Sequence, residues 1–227
     1  MTSLAEDLLL LLLDDERGTL PGQHCDLALG GAVLADLALH GAVTVPGKTR
    51  VWRTARVRAV PGAAPDDPVL RDALALVARR ERSAEDLVRR IGRGPRPRLV
   101  DRLGDRLAEQ GILRRVDERV WGLVPRTRWP VLETAHEERL RRALTATLVS
   151  GAEPDQRTAA LVGLLAAVNR AHRSVDHDGL SNREVRQRAR QVAEGDWAAK
   201  AVRDAVRAAT AAASAAASGG AVAAGSG

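Results

Sequence analysis

The chain has 227 residues, 45% of them hydrophobic and 28% charged, with a formal net charge of +6, which permits a substantial core, makes a soluble globular protein the default and allows one large domain or two small ones. Its one cysteine, Cys25, rules out an intramolecular disulfide and a thiolate metal cluster and fits a reducing cytoplasm. Arginine outnumbers lysine thirty-three to two, and Phe and Tyr are absent, a bias of G+C-rich codons that leaves arginine doing the surface work of lysine.

The first predicted element opens at Ser3 and Glu6, whose S-x-x-E spacing is that of a capping box. Six consecutive leucines, Leu8 to Leu13, then cover every face of a 3.6-residue period, so this helix must be surrounded by other elements. The run is too short for a bilayer, which takes ~20 apolar residues, and Glu6 and Asp7 stand where a signal peptide needs basic ones. Asp26 is placed to cap a second helix, Leu27 to His40, which stops at Gly41. Gly30 and Gly31 inside it imply close approach to a neighbour, most simply the leucine helix. Two short strands, Ala42 to Val45 and Val51 to Val60, flank Pro46-Gly47.

Asp67-Pro68 predicts a helix to about Arg80, and Ser83 opens another with Leu87, Val88 and Ile91 as its apolar side. Gly92 to Pro97 is a basic breaker. From Arg98 to Gln110 a helix turns Leu99, Leu103 and Leu107 inward and Arg98, Arg102 and Arg106 outward as a stripe. Ile112 to Arg115 and Val120 to Val124 read as a hairpin around Val116 to Arg119, its outer end presenting Trp121. Further helices are expected over Glu133 to Val149, Asp155 to Arg173, Ser181 to Ala193 and Asp196 to about Ala209, with Trp129 and Trp197 as packing anchors. The sequence therefore predicts a mainly α, single compact helical domain over residues 1–207, built around the buried N-terminal leucine helix, with a small β-ribbon and a β-hairpin. Residues 208–227, nearly all Ala, Ser and Gly, form a tail expected to be disordered.

The charge is localised. Between Val88 and Arg128 twelve arginines face five acids, and the rest of the chain sums to −1. Such a region suits an anionic partner, with a solvated arginine-rich face as the plainer alternative. Catalysis has little support: His24, His40, His136, His172 and His177 are scattered, and Asp176-His177-Asp178 reads as a polar connection better than as a metal site. Neither a phosphate-binding glycine loop nor a nucleophile elbow occurs. The stripe beside a hairpin admits two classes of binder. One is a winged-helix reader whose arginines contact nucleic-acid phosphates; the other is a peripheral membrane protein whose guanidinium groups hold lipid phosphates. A scaffold that binds only protein is the third reading.

One set of segments, in order, carries a resemblance. The opening Leu4-Ala5-Glu6-Asp7 with its six leucines and Asp14-Asp15-Glu16-Arg17-Gly18, then Gly31 to Gly41, Asp72-Ala73-Leu74, Asp101 to Leu113 and Asp155 to Val162, resemble the Golgi phosphoprotein 3 family. The resemblance covers about Leu4 to Val206. It implies one compact, mostly α-helical domain that binds phosphatidylinositol 4-phosphate at a membrane; with no catalytic or metal-ligand constellation in the sequence, the chain is expected to be a non-enzymatic, cofactor-free and metal-free cytoplasmic protein, peripherally associated with the inner face of the membrane. The hairpin, with Arg115, Arg119 and Trp121, would aid membrane contact or homo-oligomerisation. At the family's site tryptophan this chain has Pro21, and at its three site arginines it has Gly30, Pro97 and Val100. The neighbouring Arg96, Arg98 and Arg102 are therefore the expected headgroup ligands.

Overall fold

The computed structural model describes residues 2–14, 17–20, 24–44, 56–120 and 123–194. The expected strand residues 51–55, Trp121, the helix after Asp196 and the tail from residue 208 lie outside these. Helix α1 (Leu4–Leu12) begins at the predicted capping box, Ser3 accepting from the Glu6 amide and Glu6 from that of Ser3. All nine of its residues are buried, Glu6 and Asp7 included. It packs against α2 (Cys25–Leu39), α5 (Leu99–Glu109), α6 (Ala135–Leu148) and α7 (Gln156–Ala167), the central position that an all-leucine surface requires. No helix among the described residues is long and apolar enough to cross a membrane.

Two charged side chains enter the core on α1 because partners meet them there. Asp7 accepts two hydrogen bonds from Arg157 of α7 and lies 2.7 Å from His136 Nε2 of α6. Glu6, besides its capping bond, pairs with Arg106 of α5 at 3.2 Å. A buried carboxylate persists only with such compensation.

Helix α2 corrects two expectations. It starts two residues earlier, at Cys25, because His24 adopts a left-handed φ of 73° as the N-cap, and Asp26 turns its carboxylate to Arg93 rather than capping. Its glycine Gly30 meets α4 (Ala84–Gly92), not the leucine helix. An added Cβ there would stand 2.7 Å from the Gly92 nitrogen, and Gly92 in turn lies against the α2 backbone at Asp26 and Leu27. The two helices cross backbone to backbone.

A three-stranded antiparallel sheet runs β1 (Val43–Thr44), β2 (Arg56–Ala59), β3 (Arg82–Ser83). Helix α3 (Pro68–Arg79) starts on Asp67, which accepts from the amides of Val69 and Leu70, and α4 starts on Ser83, which accepts from that of Asp86. The hairpin pairs β4 (Val116–Val120) with β5 (Val124–Arg128), so the polar run expected as its turn is its first strand. Cross-strand partners explain the shift: Asp117 accepts from Thr127, and Glu118 lies 3.6 Å from Arg128. The predicted Asp155–Arg173 helix ends at Ala167, where Asn169 turns left-handed at φ 58°; a 3₁₀ turn, Ala171–Arg173, follows. Helix α8 (Asn182–Val192) opens on a second capping box, Ser181 with Glu184.

Candidate functional site: the basic loop between α4 and α5

Residues 93–98 leave α4 at its C-cap, Arg93, and enter α5 at its N-cap, Arg98. Gly94 sits between two recesses that this loop separates. The first, about 350 Å³, lies beside the start of α2 and is lined by Leu20, Cys25, Leu29, Arg93, Arg98 and Val100 among others. Arg93 donates to Asp26 at 2.5 Å and comes within 3.4 Å of His24 Nδ1. Among the described residues Arg98 pairs only with Asp101, at 3.7 Å, and two-thirds of its side chain (66%) is open to solvent. Burial pushes the Cys25 thiol pKa up, against the pull of Arg170, so it stays a neutral wall.

The second recess, about 370 Å³, lies on the α3 side. Val69, Ala73, Leu76, Ile91 and Leu99 give it an apolar floor, while Arg90, Arg96 and Arg102 rim it. Arg102 donates to Asp72 at 2.7 Å, whereas Arg96 makes no ion pair among the described residues. The three expected headgroup ligands are thus divided: Arg96 and Arg102 share the second recess and Arg98 lines the first. Arg106, expected in the outward stripe, instead bridges Glu6 and Asp67 at 3.2 and 2.5 Å.

Gly30 has no room for the long side chain that the family carries at its position, because the α4 backbone occupies that space. Pro97 lines the second recess and Val100 the first. Pro21 lies outside the described residues.

The hairpin leans on the same part of the molecule. Arg128 donates to the Arg17 carbonyl and the Trp129 amide to that of Gly18, both at 2.6 Å, and two residues after Gly18 comes Leu20, a wall of the first recess. Trp129 is buried, its ring over Gly104 of α5, and is the packing anchor expected. Arg115 is committed to Asp105 and Asp117, at 2.7 and 3.0 Å, and stacks 5.6 Å above the Trp129 ring centre. Arg119 is exposed with no ion pair among the described residues, and Leu123, at 85% exposure, is bare to solvent.

The order α3–β3–α4–α5–β4–β5 is that of a winged helix, but two of the arginines on α5 are already engaged within the fold. Leu99, Leu103 and Leu107 enter the core, Arg102 and Arg106 bind α3 and the Asp67 cap, and Gly104 lies under Trp129. A recognition helix needs a free face to lie in the major groove.

The histidine loop is built from internal bonds: the ring nitrogens of His177 face the carbonyl oxygens of Leu180 and His172. Burial and then the Arg186 and Arg173 guanidinium groups push the His172 pKa down, keeping it neutral. Among the described residues no three His, Cys, Asp or Glu side chains are grouped to hold a metal. Sequence reasoning missed the Asp7–Arg157–His136 cluster, whose one local sign is a pair of acids beside an all-leucine run.

The family model of Golgi phosphoprotein 3 (GPP34) matches residues 4–209, spanning every element above. No curated protein matches the chain. With the capping box, the leucine core and the helical architecture in place, that match assigns the chain to the Golgi phosphoprotein 3 family.

Proposed function

We propose that the chain is a non-enzymatic peripheral membrane protein that binds anionic phospholipid headgroups, phosphatidylinositol 4-phosphate among them, through the basic loop at residues 93–98. The observation that carries this reading is the first recess. It pairs a solvent-facing guanidinium, Arg98, with an apolar wall at Leu20, Leu29 and Val100, and loop 17–20 ties it to the hairpin that bears the bare Leu123. An arginine fork holds a phosphate by paired charge-assisted hydrogen bonds, and an exposed leucine suits the acyl boundary. Arg96 and Arg102, in the recess on the other side of Gly94, add positive charge to the same loop region. The family supports the same reading.

Co-sedimentation with vesicles tests it. Neutral phosphatidylcholine vesicles should leave the protein in solution. Vesicles containing phosphatidylserine or phosphatidylinositol 4-phosphate should carry it down, less so as salt rises. Replacing Arg96, Arg98 and Arg102 together by serine should weaken binding on the order of a hundredfold, each basic group near the surface contributing ~1 kcal/mol. Tight binding of duplex DNA, lost in the triple variant while vesicles never bind, would replace this reading with the nucleic-acid one.

A further inference from the structure

On the far side of α4 from the first recess lies a groove of about 460 Å³, lined by Arg56 of β2, Arg80 and Glu81 of the α3–β3 turn, Arg82, Ser83, Asp86 and Arg90. Its cations outnumber its anions, and the anions are already engaged. Glu81 is taken by Arg58 at 2.8 Å. Asp86 alone receives three guanidinium groups, from Arg82, Arg89 and Arg90, at 3.1, 2.9 and 2.8 Å. Arg56 and Arg80 are exposed and make no ion pair among the described residues. The Nε of Arg82 is buried with no hydrogen-bond acceptor. Guanidinium groups gathered in one groove repel one another, and its two carboxylates, Glu81 and Asp86, do not balance its four arginines.

We infer that this groove is a second anion site, taking a small ligand with more than one phosphate group, held by Arg56, Arg80 and Arg82. Phosphate matches the donor set, because Arg56 and Arg80 each offer a planar fork to two phosphate oxygens and Arg82, held by Asp86, adds charge beneath them. The volume lies in the range of small-molecule pockets and the lining is polar, so the groove admits a phosphorylated headgroup or free metabolite and offers no bed for an acyl chain. Arg90 stands at the boundary with the second recess, while Arg56 and Arg80 line neither recess of the basic loop. The two sites can therefore be tested apart.

The probe is inorganic tripolyphosphate, titrated calorimetrically into the whole protein at low salt. The expected result is one saturable site, weakened about tenfold or more by the double substitution Arg56→Ala, Arg80→Ala and unchanged by Arg98→Ser. Both replaced arginines are exposed, so the variant should keep the wild-type melting temperature. Arg183→Ala with Arg190→Ala removes equal charge from exposed positions of α8 and should leave binding intact. A parallel vesicle arm identifies the source of the phosphate: co-sedimentation that falls with the Arg56, Arg80 variant makes it a lipid headgroup, and unchanged co-sedimentation with lost tripolyphosphate binding makes it a soluble anion. Absence of saturable tripolyphosphate binding, binding that survives the double substitution, or equal loss in the α8 control would overturn the assignment.

Discussion

Asp36 is a buried carboxyl group that its surroundings satisfy only in part. It lies on α2 with no solvent exposure, its Oδ2 accepting from the Leu4 amide at 2.7 Å. Its Oδ1 has no hydrogen-bond partner and stands 4.0 Å from Arg157, which is already bound to Asp7. Burial raises its pKa from an ordinary 3.8 to about 6, against the pull of the Leu4 amide, Arg157 and His40. The folded protein therefore holds a proton here that the unfolded chain has released. Stability from this group is fully present below 3.8 and is lost as pH rises through about 6. Asp67, Asp86 and Asp155 behave in the opposite sense, because hydrogen bonds to arginine or to backbone amides lower their pKa values even against burial. A comparison with Asp36→Asn isolates the one residue. Near pH 4 the two proteins should be about equally stable. By pH 7.5 the variant should be the more stable by on the order of 2–3 kcal/mol, at 1.36 kcal/mol per pKa unit, read from urea unfolding. A difference that does not change with pH would show that Asp36 is not the titrating group.

At the scale of elements, the α2–α4 crossing has no slack. Gly30→Ala and Gly92→Ala each improve helix propensity by up to ~1 kcal/mol, yet each new methyl group meets backbone rather than a movable side chain. Overpacking of this kind costs about 1–3 kcal/mol, so both variants should melt at lower temperature, and the double variant should depart from additivity because both changes press on one contact. A rise in melting temperature for either would mean the helices have room to part. Such contacts mark the limit of what the sequence discloses. Helix starts are local chemistry: Ser3 with Glu6, Asp67 before Pro68, Ser83, and Ser181 with Glu184 were all legible, and all cap their helices. Partners far along the chain were not. Nothing near Gly30 names Gly92, nothing near Arg106 names Glu6, and the hairpin register depends on pairs such as Asp117 with Thr127. The basic loop was located from its arginines, but its division into two recesses depends on how α2 and α3 flank it.

For the whole molecule, the proposed membrane face combines two interactions that respond differently to salt. Arg98, solvent-facing at the loop, acts by charge, and its contribution falls off beyond a Debye length of ~10 Å at 0.1 M salt. Leu123, 85% exposed on the hairpin, acts by removing apolar surface from water, worth roughly 1.5–3 kcal/mol for a fully buried leucine and insensitive to modest salt. Leu123→Ser should therefore weaken binding to anionic vesicles by about ten- to a hundredfold and leave the slope of affinity against salt unchanged. Arg98→Ser should flatten that slope. The two losses should add, because neither residue has a part in the other's contacts. Leu123→Ser leaves the buried helices untouched, and Arg98→Ser places a preferred capping residue at the start of α5, so neither variant should melt below the wild type, which separates lost binding from lost structure. If Leu123→Ser leaves vesicle affinity intact while Arg98→Ser removes it, the protein docks by headgroup recognition with its hairpin clear of the bilayer, and the bare leucine belongs to a protein interface instead.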